Sequence, residues 1–144
     1  MRSFLSEVFG DLSGIIVSIV IVNYNSGEYL GKCLRSIAKQ SLQDYEVIVV
    51  DNASADGSLS QVSEGNNVIV VRNEKNLGFA TAQNQGMALA RGKYLMALNF
   101  DILTTPTFLE AMVDAMETSE KIGTVCGKLL KMDADGALTN FIDN

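Results

Sequence analysis

In the stretch "LMALNFDILTTP", residues 95–106, an apolar run from Leu95 to Leu98 stops at Asn99-Phe100-Asp101. An amide oxygen and a carboxylate two residues apart are hard oxygen donors, the kind that suit Mg2+ or Mn2+. Three other apolar runs end in the same way. "IIVSIVIVN" runs into Asn23 and Asn25, "YEVIVVD" ends at Asp51-Asn52, and "NVIVVRN" is followed by Asn73 and Asn76. Asn and Asp are common in turns, so one such end alone carries little meaning. Asn or Asp at every one of these run ends argues for a shared site.

The rest of the composition narrows the chemistry. The chain has 144 residues, 47% of them hydrophobic, which suits one domain with a real core. It contains no histidine, which removes Ser-His-Asp and Cys-His catalysis and every His-ligated metal site. Cys33 and Cys126 lie far apart with no CxxC, so they read as lone buried thiols rather than a redox or zinc pair. Any metal would be Mg2+ or Mn2+ on oxygen ligands, and any proton transfer would fall to carboxylates, Tyr or Lys. The net charge of −6, with no run of Lys and Arg, argues against nucleic acid or an anionic membrane as the main partner. The longest apolar stretch, "GIIVSIVIV", is too short for a transmembrane segment. Residues 1–14 form an N-terminal extension in which Phe4, Leu5, Val8, Phe9 and Leu12 share one helical face, so a short helix is expected there.

These residues are positioned by an alternation of periods. Strands are expected at 15–23, 45–51, 67–73, 93–99 and 122–132, each a buried apolar run. Leu30, Cys33, Leu34 and Ile37 recur at helical spacing, and a short helix follows the turn "NASADGS" at 52–58. "NLGFATAQNQGMALARG", 76–92, reads as a loop entering an Ala-rich helix with Gly92 as C-cap. Residues 105–119 read as a helix with Thr105 as N-cap and Pro106 at its first position. "DADG", 133–136, reads as a tight turn. The order β-α-β-α-β-α-β-α-β predicts an α/β fold: an open, mostly parallel sheet with helices on both faces, over 15–144. Such sheets bind ligands beyond the carboxyl ends of their strands, where the Asn and Asp residues collect.

The usual phosphate loops are absent. "NYNSGEYLG" after the first strand is not GxGxxG, and there is no GxxxxGK[ST]. A bound nucleotide would therefore need a metal to neutralise its phosphates, with Asn99 and Asp101 as the candidates for holding it.

"VSIVIVNYNSGEYLGKCLRSIAKQS" with "YEVIVVDNASADGS", and then "NEKNLGFATAQNQGMALARGKYLMALNFDI", resemble the ordered blocks of the family 2 glycosyltransferases, over residues 16–132. "VDNASADGS", "NLGFA" and L-N-x-D in place of D-x-D are similar to the rhamnosyltransferase-like branch. The resemblance implies the GT-A fold and a nucleotide-diphosphate sugar, UDP- or dTDP-linked, as donor. Asp51 would meet base or ribose, and Asn23 would line the same pocket. Asn25, Asn52, Asn76, Gly78, Asn84 and Asn99 would complete the donor site, with Asn52 and Ser54 shaping its turn. Asp101, with Asn99, would hold Mg2+ or Mn2+ against the diphosphate, and Phe100 would turn back into the core.

It further implies transfer to a saccharide or lipid-linked acceptor, with inversion, in cell-surface polysaccharide synthesis. The expected location is the cytoplasm, with room for peripheral association at the inner face of the membrane. The family's downstream acidic block has no counterpart among Asp133, Asp135 and Asp143, so the catalytic base is expected beyond residue 144 and the domain is expected to be incomplete at its C-terminus.

Plainer roles exist for several of these residues. Asp51 could cap its turn, Asn84 could be an ordinary helix surface residue, Arg91 could serve the helix dipole, and Tyr24 and Tyr29 could be packing. A non-catalytic regulatory α/β domain is the alternative from another class. A phospho-receiver needs an acidic pair where this chain has Asn23-Tyr24-Asn25.

Overall fold

The computed structural model describes residues 14–65 and 67–131. The expected helix within 1–14, the "DADG" turn and the acids Asp133, Asp135 and Asp143 lie outside the described residues, apart from Gly14. The chain divides into two compact units, up to Leu109 and from Glu110.

The first unit is built on a parallel sheet. β1 (Val17–Asn23) and β2 (Tyr45–Asp51) are buried at every position. That is what a strand with neighbours on both sides and cover on both faces requires, and runs of Val and Ile supply it. β3 (Val68–Arg72) and β4 (Tyr94–Ala97) flank them in the order β3-β2-β1-β4. The register aligns Asn23 with Asp51 and Asp51 with Arg72, so the polar strand ends lie side by side.

The chain steps outward from β1 to β3 and then returns past β1 to lay down β4. Right-handed crossovers put the connections of the outward leg on one face and that of the return leg on the other. On the outward leg lie α1 (Tyr29–Ile37) and one 3-10 turn (Ser58–Gln61); on the return leg lies α2 (Phe79–Leu89). The loop leaving β1 enters α1 on one face and the segment after β4 packs back against α1, while the loop after β3 crosses to α2 on the other face, and a crevice opens between them beyond the strand ends.

Packing follows the sequence closely. Leu30, Cys33 and Ile37 of α1 are buried at helical spacing. Ala82 of α2 packs with Val20, Val22, Ile48 and Val50. Small residues let α2 lie directly on the sheet: a Cβ at Gly86 would stand 2.3 Å from a Val20 methyl. Among the described residues, no helix is long and apolar enough to cross a membrane.

Four expectations are corrected. Gly92 is not a helix cap, because α2 ends at Leu89 and Ala90 is already extended. Gly92 is needed for close approach instead: its Cβ would lie 2.6 Å from the Ser18 backbone nitrogen, and its N–H donates to Ser18 Oγ at 2.7 Å.

Arg91 does more than serve a helix dipole. Its Nε donates to Glu46 Oε2 at 2.8 Å and its Nη2 binds the same oxygen, while Ser18 Oγ and the Arg91 N–H donate to Oε1 at 2.6 and 2.8 Å. The Glu46 side chain is fully buried. Burial alone would raise its carboxyl pKa, but the hydrogen bonds from Arg91 and Ser18 outweigh that and hold it below its ordinary value.

The third correction concerns the last helix. α3 (Phe108–Glu117) starts later than Thr105-Pro106 suggests. Buried Gln40 supplies the cap from elsewhere, with its Oε1 accepting the Leu109 N–H at 2.8 Å. The same amide donates to Thr105 O at 2.7 Å, which holds Thr105 in the preceding turn.

The second unit comprises most of α3 and the residues that follow. The fourth correction falls there: residues 122–131 form no strand. An apolar run becomes a strand only when a neighbour completes its hydrogen-bond ladder, and no described residue does so here.

Candidate functional site

Two loops at the carboxyl end of the sheet are locked together by side chains of the strand ends. Asn23 is fully buried. Its Nδ2 donates to Asp51 Oδ1 at 2.7 Å and to Ser54 Oγ and Ser58 Oγ at 3.0 Å, while its Oδ1 accepts from Ser26 Oγ. Asp51 is 4% exposed; it also accepts from Ser54 Oγ at 2.6 Å and from the Ser54 N–H at 3.1 Å. Asn25 reaches across from the first loop, its Oδ1 accepting the Ala55 N–H at 2.9 Å.

Asn25 and Ala53 have φ of 50° and 63°, the left-handed region that non-glycine residues rarely occupy. The surrounding hydrogen bonds hold them there, as is common beside binding sites.

A second set of amides fixes the other wall. Asn73 Nδ2 donates to Asn52 Oδ1 at 2.9 Å and to Gln85 Oε1 at 2.8 Å, and Gln85 Nε2 returns a bond to Asn73 Oδ1 at 3.0 Å. Asn52 Nδ2 donates to Gly78 O at 3.3 Å, and Asn76 Oδ1 accepts the Gly78 N–H at 2.8 Å. Gly78, at φ +84°, supplies a left-handed bend at the entry to α2.

These walls enclose a cleft of about 340 Å3, lined by Asn52, Asn76, Gly78, Asn99 and Asp101 together with Val22, Tyr24, Phe79 and Phe100. Five of the expected site residues therefore converge. Asn23 and Asp51 lie in the frame behind it and Asn25 braces the loops, while Asn84 is exposed on α2 and does not line the cleft.

Three aromatics were missed. Tyr24 and Phe79 are 47% and 58% exposed rather than packed away. Phe100 lines the cleft beside Asn99 and Asp101 instead of turning into the core, because residues 100–101 form a turn, not an extension of β4. Tyr29 is exposed as well, with the Lys32 ammonium 5.7 Å from its ring centre. The usable signal for Tyr24 and Phe79 was position: each directly follows a strand-end or helix-entry polar residue or glycine.

The segment carrying Asp101 is anchored to α1. Cys33 Sγ contacts Asn99 O at 3.7 Å. Burial, with the nearby Asp101 charge, pushes the Cys33 thiol pKa up to about 12. Asp101 is exposed at the mouth. Among the described residues no three acids or cysteines cluster to hold a metal. Asp101 and Asn99 offer hard oxygens on one side only, so an ion here would need further ligands from a bound anion.

The chain that carries this cleft is similar to known proteins in sequence and in fold. The profile described as "Glycosyl transferase family 2" matches residues 18–139. An uncharacterized glycosyltransferase of Haemophilus influenzae is 29% identical over 121 residues, covering 81% of this chain and 37% of that protein. The crystal structure of S. aureus TarS 1–349 superposes with a TM-score of 0.68 at 26% identity, over 74% of this chain and 33% of TarS. The mannosyltransferase PcManGT of Pyrobaculum calidifontis, in complex with GDP-Man and Mn2+, superposes with a TM-score of 0.63 at 26% identity, over 69% of this chain and 32% of its own. The chain thus spans about a third of the length of these relatives. With its profile match, its parallel sheet and its strand-end cleft, the chain belongs to glycosyl transferase family 2.

Proposed function

We propose that this chain is the donor-binding part of a glycosyltransferase that takes a nucleotide-diphosphate sugar together with Mg2+ or Mn2+. The observation that carries the reading is the single cleft that brings Asp101 and Asn99 together with Asn52, Asn76 and the aromatics Tyr24, Phe79 and Phe100. Tyr24 and Phe79 offer exposed π-faces for a base. Asn76 offers its amide N–H groups to ribose or phosphate, while Asp51, buried behind the cleft, would act on the donor by holding the loop that carries Asn52. Asp101 and Asn99 would hold the cation, with the diphosphate completing its ligands. Such an ion stabilises the negative charge that grows on the departing nucleoside diphosphate.

The family relatives support a sugar-transferring role, and the Mn2+ complex of PcManGT supports a divalent ion. UDP- or dTDP-linked donors, a rhamnosyl-type sugar, inversion, a saccharide or lipid-linked acceptor and action at the cytoplasmic face of a membrane complete the proposal.

Calorimetric titration with UDP and dTDP, with and without Mn2+, tests it on the wild type and Asp101→Ala. The expected result is metal-dependent binding that Asp101→Ala weakens by about tenfold or more, equivalent to about 1.4 kcal/mol. Binding that is indifferent to Mn2+ and unchanged in Asp101→Ala would sink the site assignment.

A further inference from the structure

The outer face of α1 carries Lys32 and Arg35, with Lys39 just past its end. They are no run in the sequence, but spacing of i, i+3 and i+7 puts them on one stripe, opposite buried Leu30, Cys33 and Ile37. This stripe forms one wall of a second cleft, of about 410 Å3, whose other wall is Leu103, Thr104 and Pro106.

The walls are held in place. Thr104 N–H donates to Ser36 Oγ at 3.0 Å, Gln40 Nε2 donates to Thr104 Oγ1 at 3.0 Å, and Ser41 N–H donates to Pro106 O at 2.7 Å.

The charges are largely uncommitted. Lys32 Nζ sits 2.8 Å from Glu28 Oε1, an exposed i, i+4 pair of small net value. Arg35 and Lys39 make no ion pair with any described residue. No acidic side chain lines the cleft. In a chain of net charge −6, a concave surface holding three cations is a local reversal of the field that concentrates anions.

We propose that this cleft binds a phosphate-bearing ligand, with the phosphate held between Arg35 and Lys39 and Lys32 at its margin. Arg35 offers a planar fork that matches phosphate oxygens, and Lys39 offers a point charge. A phosphomonoester carries about −1.5 to −2 near neutral pH and rewards several cations more than a single carboxylate does. Leu103, 42% exposed, gives the cleft an apolar lip for whatever carries the phosphate. The segment 99–106 borders both clefts: Asn99 to Asp101 line the first, and Leu103 to Pro106 line the second. The proposal does not depend on the donor assignment.

The test has two arms, run in EDTA at about 50 mM salt, where screening is weak. Glycerol 1-phosphate is titrated by NMR, and vesicles of phosphatidylcholine with or without phosphatidylglycerol are tested by co-sedimentation. Binding in the first arm marks a soluble phosphate ester as the ligand, and binding to the anionic vesicles marks a lipid headgroup. Either result supports the proposal if Arg35→Gln/Lys39→Gln weakens it about tenfold or more and added salt weakens it further. Circular dichroism confirms that the variant is folded, and its UDP binding with Mn2+ should match the wild type. Absence of binding in both arms, or equal binding by the variant, overturns the proposal.

Discussion

Replacing Arg91 with Met tests the buried ion pair most directly. Met keeps an apolar stem but removes both bonds to Glu46 Oε2; the bonds to Oε1, from Ser18 and the residue 91 N–H, remain. Two charge-assisted hydrogen bonds of about 1.5–3 kcal/mol each bracket the loss. They agree with the ~3–5 kcal/mol expected when one partner of a buried pair is removed. Because Arg91 is 20% exposed, the lower end, about 3 kcal/mol at pH 7, is the better figure.

The pH dependence should change sign. In the wild type the folded Glu46 pKa lies below its unfolded value, so its stabilisation is present above about pH 4.3 and is lost as pH falls through the folded pKa. In Arg91→Met, burial acts without the guanidinium and raises the folded pKa. The variant then gains stability as pH falls from neutral, and the gap to the wild type narrows by pH 5. Urea unfolding at pH 7 and pH 5 measures both effects. Equal midpoints at pH 7, or a gap that widens on acidification, would refute the reasoning. Glu46→Leu/Arg91→Met should recover only part of the loss, since it leaves no unpaired charge but deprives the buried Ser18 hydroxyl of its Oε1 acceptor.

Other consequences are simpler to read. Gly86→Ala should cost about 1–3 kcal/mol by urea unfolding, because its Cβ meets the Val20 methyl at 2.3 Å and the ~1 kcal/mol helix preference of Ala cannot offset the clash. Ala53→Gly should keep or raise stability by up to ~1 kcal/mol in the same assay, since it removes a side chain from φ 63°. Cys126 is exposed, not the buried thiol its lone position suggested, so in a native alkylation time course followed by mass spectrometry it should react quickly. Buried Cys33, with its pKa near 12, should react only on unfolding.

Much of this molecule was legible in the sequence because periodicity reports burial. Runs such as "VSIVIVN" and "YEVIVVD" announced fully covered parallel strands, and polar residues at their ends announced the cleft. Pairing was less legible. That β4 lies beside β1 is fixed by crossover geometry and not by any local pattern, so the crevice between these strand ends and the entry to α2 came with the topology. Residues 122–131 show the converse, an apolar run that reads as a strand but has no described ladder partner. Glu46, a charge inside a buried run, was itself a signal that a cation must come from elsewhere, and Arg91 supplies it. Asn23 and Asp51 stand at strand ends behind the cleft, and their residue type alone does not distinguish touching a ligand from bracing the loops around it. The basic stripe on α1 is not a linear run, because the helix repeat and not adjacency makes Lys32, Arg35 and Lys39 neighbours.

The amide ladder of Asn52, Asn73 and Gln85 has one more consequence. Its members neither titrate nor carry charge, so acidification and added salt leave its bonds unchanged. With no histidine in the chain, this wall of the cleft should keep one shape across the whole neutral range. A change in ligand affinity between pH 6 and pH 8 would then report protons gained or lost by the ligand itself, which makes the cleft a clean gauge of the ionisation of whatever it holds.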